Sequence, residues 1–116
     1  MPYEILKYDE ITIIKVQLYI ATAEDALEFN EFLHEILDQN QKKIIIDLSE
    51  CQIVGSQFLG ALVAAYKIVK TRKGNIKLVF SPEDKTSIMV LTRLNKIFEV
   101  FLTLEEAIQS WDKVPG

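Results

Sequence analysis

Apolar positions recur with two periods along this chain, and the points where the period changes mark its elements. Ile44, Ile45 and Ile46 are three consecutive β-branched residues, which suits a strand buried on both faces. Asp47 and Ser49 mark the exit of that strand. Gly55 and Ser56 mark the entry of a helix, after which Leu59, Leu62, Val63, Tyr66 and Val69 recur at helical spacing. Ser56 is expected at the N-cap of this central helix, beside unpaired backbone N–H groups and the positive end of the helix dipole. Lys73-Gly74-Asn75 ends the helix, with Gly74 expected as the left-handed residue.

Upstream, residues 3–8 read as a short strand with Tyr3, Ile5 and Leu6 turned inward. Ile11 to Leu18 reads as a second strand, and the polar Asp9-Glu10 pair between them predicts an antiparallel hairpin. Thr22 with Asp25 three positions on resembles an N-cap with an acidic partner. Ala26, Phe29, Leu33, Ile36 and Leu37 then form an apolar stripe, so residues 23–39 should be an amphipathic helix stopped by Asn40.

Downstream, Ile76 to Phe80 is another strand. Ser81-Pro82-Glu83-Asp84 is a helix start, with Ile88, Val90, Leu91 and Leu94 on the buried side. Phe98 to Phe101 reads as a last strand. Thr103 with Glu106 has capping-box spacing and opens a final helix through Trp111. The order ββαβαβαβα implies an α/β fold with a mixed, mostly parallel sheet of about five strands, an N-terminal antiparallel hairpin and four helices. Residues 1–112 read as a single domain and 113–116 as a frayed tail.

Composition narrows the function. At 116 residues, with 49% apolar and 26% charged residues, the chain can bury a core without a metal or disulfides. Its net charge of −4 gives no electrostatic match to nucleic acid. Lys67, Lys70, Arg72 and Lys73 cluster at the end of the central helix, where they complement its dipole before they suggest a partner patch. Cys51 is the only cysteine, which points to a reducing, cytoplasmic setting. The charged N-terminal stretch is not a signal peptide, and no apolar run approaches the roughly 18 residues of a membrane span, so no direct membrane insertion is expected.

Catalytic chemistry finds little support. The only histidine, His34, lies far from Cys51 in sequence, so a metal site lacks convergent ligands and none is expected. A Ser56–His34–Asp47 triad would need three distant segments to meet, and VGSQF is no GxSxG elbow. Cys51 has no lysine or arginine beside it to activate a thiolate. With four glycines in all, neither a P-loop nor GxGxxG is present. The acidic pairs Glu83-Asp84 and Glu105-Glu106 sit at helix starts, where capping favours them. No enzyme and no cofactor is expected. Ser56 remains, either as a cap contributing about 1 kcal/mol or as a phosphorylation site whose added charge a helix N-terminus tolerates.

The run from Lys43 to Ile108, with IIIDLSE, VGSQFLGALVAAYK, NIKLVFSPED and TLEEAI in order, resembles the STAS domain. Within that family it is most similar to the stand-alone bacterial anti-sigma factor antagonists. The resemblance implies a cytoplasmic regulator of transcription and a phosphoprotein. Its partners would be a serine kinase that is also the anti-sigma factor, and a phosphatase; a homodimer is left open. In the family the serine at this helix start accepts the phosphate, and that position carries over to Ser56. The implied contact surface is Gly55, Ser56, Gln57, Phe58 and Leu59, with Thr22 and Glu24 as a second edge. Gly55 stands where the family has aspartate and Phe58 where it has glycine. Leu18-Tyr19-Ile20-Ala21 is more apolar than the family pattern. Two other readings stand beside this one: a scaffold subunit of a signalling or membrane-transport accessory complex that no phosphorylation modulates, and a small-ligand binder or hydrolase at the same loop.

Overall fold

The computed structural model describes residues 2–81 and 93–111. The strands are β1 (Tyr3–Tyr8), β2 (Ile11–Val16), β3 (Ile20–Ala21), β4 (Lys43–Asp47), β5 (Ile53–Val54), β6 (Asn75–Val79) and β7 (Val100–Phe101). Among the described residues three helices are complete: α1 (Ala23–Asp38), α2 (Ser56–Thr71) and α3 (Leu104–Gln109). Residues 93–95 are also helical. The main sheet has the order β1-β2-β4-β6-β7. β1 and β2 form the antiparallel hairpin, and β4, β6 and β7 join in parallel. Asp9 turns the hairpin at φ 54, a left-handed conformation that aspartate tolerates.

The three isoleucines of β4 explain the layering. Ile44 and Ile46 face the large core beneath α1 and α2. Ile45 faces a smaller core with Ile11, Ile13, Val79 and Ala107, closed by α3. All three are fully buried, as a strand covered on both faces requires. Lys77 lies opposite Ile45 in the register and is itself buried. Its ammonium donates to Ser110 Oγ at 2.7 Å, pairs with Glu99 at 3.4 Å and sits 4.4 Å from the centre of the Trp111 ring.

Several sequence expectations are corrected. Ile5 and Leu6 do not turn inward but are 48% and 39% exposed. β1 is the sheet edge, and Tyr3 is its residue in the large core, where its ring meets those of Phe29 and Phe32. The second strand ends at Val16 and the last one begins at Val100, each shorter than the apolar run suggests. Gly74 is not the left-handed residue; Lys73 is, at φ 64. The Lys73 N–H donates to Lys70 O and the Gly74 N–H to Val69 O, which closes the helix as a Schellman turn. Gly74 is required for another reason: a Cβ there would lie 2.5 Å from Lys42 O. The helix start at Ser81-Pro82, with Ile88, Val90 and Leu91, and the 113–116 tail lie largely outside the described residues; Leu94 is fully buried as expected. α3 stops at Gln109, short of Trp111, and Thr103 caps it by accepting from the Glu106 N–H at 3.2 Å.

Tyr3 carries a consequence for pH. Burial, with Asp25 and Glu28 adding to it, pushes its phenol up to about 12. The unfolded phenol titrates near 10. Folding therefore favours the neutral form, and this contribution is fully present below pH 10 and lost as the pH rises through 12. Urea midpoints measured from pH 9 to 12 should fall more steeply for the wild type than for Tyr3→Phe; equal slopes would show that Tyr3 does not carry the effect.

Candidate functional site

Two short strands that no periodicity announces build the site. β3 pairs in parallel with β5, Ile20 against Ile53 and Ala21 against Val54. Tyr19 O accepts the N–H groups of Gln52 and Ile53, and Ala21 O accepts the Gly55 N–H at 2.8 Å. This ribbon ties the entry of α1 to the entry of α2. Ala21 and Val54 point into the core, so alternation turns Ile20 and Ile53 outward, where they are 47% and 51% exposed. Tyr19 beside them is 68% exposed. Large apolar side chains thus flank the start of α2, a composition that suits protein contact.

Ser56 is not the N-cap. Gly55 is, with extended backbone at φ −68 and ψ 155, and its carbonyl accepts the first helical bond from the Leu59 N–H at 2.9 Å. Ser56 is the first residue of the helix proper and is exposed. Because the cap is glycine, α2 has no side-chain cap, and its first turn holds no acid. The contrast with the other helices is direct. Thr22 and Asp25 close a reciprocal capping box on α1, and Thr103 caps α3, each with two acids in the first turn. The positive end of α2 is therefore the one left uncompensated among these three helices.

Of the remaining expected contact residues, Gln57, Thr22 and Glu24 are exposed, and Gly55 and Leu59 are half-buried. Thr22 lies beside Gly55: its Cα would be 3.9 Å from a Cβ built there. The same Cβ would lie 2.8 Å from Ala21 O, so any side chain at position 55 must push the ribbon aside. Phe58 departs from the expected surface. It is fully buried, stacked on Phe29 with ring centres 4.5 Å apart, and supports the contact surface from beneath. Sequence reasoning singled out Tyr19 and Ile20 but missed Ile53, whose exposure follows only from its pairing with Ile20.

The alternative chemistries do not assemble. Cys51 is fully buried, its thiol donates to Ile53 O at 3.2 Å, and burial pushes it up from its ordinary value. Asp47 is buried and accepts from the Ser49 N–H at 2.9 Å. His34 lies exposed on α1, and among the described residues no hydrogen bond joins it to Ser56 or Asp47. No group of three His, Cys, Asp or Glu side chains among the described residues could hold a metal ion. No helix among them is long and apolar enough to cross a membrane.

A mixed sheet opened by an antiparallel hairpin, two helices on one face and a helix start tethered by a two-stranded ribbon define a STAS domain. The chain belongs to that family, whose pattern matches residues 3–107. Among its relatives is a Thermotoga maritima protein named "putative anti-sigma factor antagonist", 28% identical over 93% of this chain and 94% of its own. A crystal structure of a "putative anti-sigma factor antagonist" from Thermotoga maritima superposes with a TM-score of 0.83 at 25% identity, covering 96% of this chain and 95% of that one. An anti-sigma factor antagonist from Mycobacterium paratuberculosis shares the fold at a TM-score of 0.81 and 22% identity, over 96% and 93% of the two chains. So does the phosphorylated form of the Bacillus cell fate determinant SpoIIAA, at 0.68 and 14%, over 94% and 98%.

Proposed function

We propose that this protein is an anti-sigma factor antagonist that docks a serine kinase/anti-sigma factor over the start of α2 and is released when Ser56 is phosphorylated. The observation that carries this reading is the exposed Ser56 at a helix start that has no side-chain cap. A phosphate there adds about −1.5 to −2 charges. Free N–H groups and the dipole tolerate it, so the fold persists. A partner seated on Tyr19, Ile20 and Ile53 would instead have to bury that charge, and complexes of this kind do not tolerate an unpaired charge at the contact. A Bacillus protein of the same fold exists in a phosphorylated form, which makes the modification chemically familiar on this scaffold. The same reading places the protein in the bacterial cytoplasm, with a phosphatase resetting it and no catalysis of its own.

The second reading, a scaffold subunit whose binding no phosphate modulates, draws on Gly55, which stands where the family has aspartate. One experiment separates the two. Incubation with ATP and a serine kinase whose gene neighbours this one, followed by intact-mass measurement, should add one phosphoryl group to the wild type and none to Ser56→Ala. Unchanged wild-type mass with a kinase active on its own substrate would leave the scaffold reading standing.

A further inference from the structure

At the end of the sheet opposite Ser56, α1 and α2 run out, the β1–β2 hairpin turns, and β4 and β6 begin. An open groove of about 830 Å³ lies there, within the range of small-ligand sites. Five lysines line it, Lys7, Lys42, Lys43, Lys70 and Lys73, against the two carboxylates of Asp9 and Glu10. This excess of three positive charges sits on a chain whose net charge is −4. Trp111, the only tryptophan, also borders the groove.

The lysines divide into two sets. Lys7 donates to Thr12 Oγ1 at 2.9 Å and Gln41 Oε1 at 2.8 Å, and Lys43 pairs with Glu10 at 3.4 Å. Lys42 and Lys73 have no side-chain partner among the described residues, and the Lys70 ammonium only overlies the Tyr66 ring at 5.8 Å. Lys70 lies in the last turn of α2, where its charge also complements the dipole, but Lys42 lies in the loop before β4 and neither it nor Lys73 belongs to a helix. Backbone N–H groups of the Schellman turn satisfy the carbonyls of Val69 and Lys70, and Arg72 donates to Leu37 O at the end of α1 at 2.8 Å. Lys73 moreover occupies a left-handed position, φ 64, that glycine or asparagine would fill with less strain.

We propose that this groove binds a compact ligand carrying at least two phosphate groups, with Lys42, Lys70 and Lys73 meeting its charge. Ammonium–phosphate contacts gather strength where several converge on one polyanion. The site stands apart from Ser56 and does not rest on the reading of that residue.

Trp111 emission and calorimetry, with inorganic tripolyphosphate and fructose 1,6-bisphosphate as probes at about 0.15 M ionic strength, test this. Saturable binding of either probe is expected, and which of the two binds tells condensed phosphate from a phosphorylated sugar. The Lys42→Gln/Lys70→Gln/Lys73→Gln triple variant, exposed and so still folded by circular dichroism, should bind about tenfold more weakly or worse. Lys67→Gln, outside the groove, should bind like the wild type. Neither probe binding by either method, a triple variant that binds normally, or an equal loss in Lys67→Gln overturns the proposal.

Discussion

Replacing Phe58 with alanine should cost about 3–5 kcal/mol of stability, read as a shift in the urea midpoint. The ring is fully buried and stacks on Phe29 at 4.5 Å, joining α2 to α1 in the centre of the larger core. Its removal leaves a cavity that two packed helices cannot close. Domains of this kind have only about 5–15 kcal/mol in total, so the variant should lose a large share of its stability. The milder Phe58→Leu keeps most of the volume and should lose much less. It also tests the site: because Phe58 lies beneath the surface, Phe58→Leu should bind the kinase partner as the wild type does. A loss below about 1 kcal/mol for Phe58→Ala would show that the ring is not packed as described.

Ser56→Asp should weaken binding of the kinase partner by about 2 kcal/mol or more, some thirtyfold in Kd, by calorimetry with the purified partner. The cost comes from burying a carboxylate against a partner that closes over Tyr19, Ile20 and Ile53. Stability should hold or rise slightly, because an acid in the first turn of α2 complements its dipole by roughly 0.3–1 kcal/mol. Ser56→Ala should bind fully. It should also be nearly neutral in stability, since the cap is Gly55 and no side-chain cap is lost. Equal binding by Ser56→Asp and Ser56→Ala would remove the switch and favour the scaffold reading.

Much of this protein follows from relations between residues three or four apart, or two apart, in the chain. The three isoleucines of β4, the apolar stripe of α1, the Thr22–Asp25 box and the Thr103 cap are all local, and all stand where the sequence puts them. Local signals also place Ser56 at the start of α2, though they miss by one residue which position caps it: the cap is set by where the first helical bond forms, and the pairing of Gly55 with Ala21 decides that.

What the tertiary structure alone decides concerns residues distant in sequence. The β3–β5 ribbon spans two residues on each side, too few for any period to show. Yet it brings the starts of α1 and α2 together and turns Ile20 and Ile53 outward. Ile5 reads as core because it alternates with Tyr3 and Leu6 because it is apolar, and both are exposed because β1 is the sheet edge. Phe58 reads as surface by its place in a motif, and is core because α1 lies over it. The lysine groove gathers side chains from both sheet and helix ends, which no single stretch of sequence contains. Periodicity reports which face of an element is apolar; only packing determines which faces meet, and so which side chains remain outside for a partner to touch.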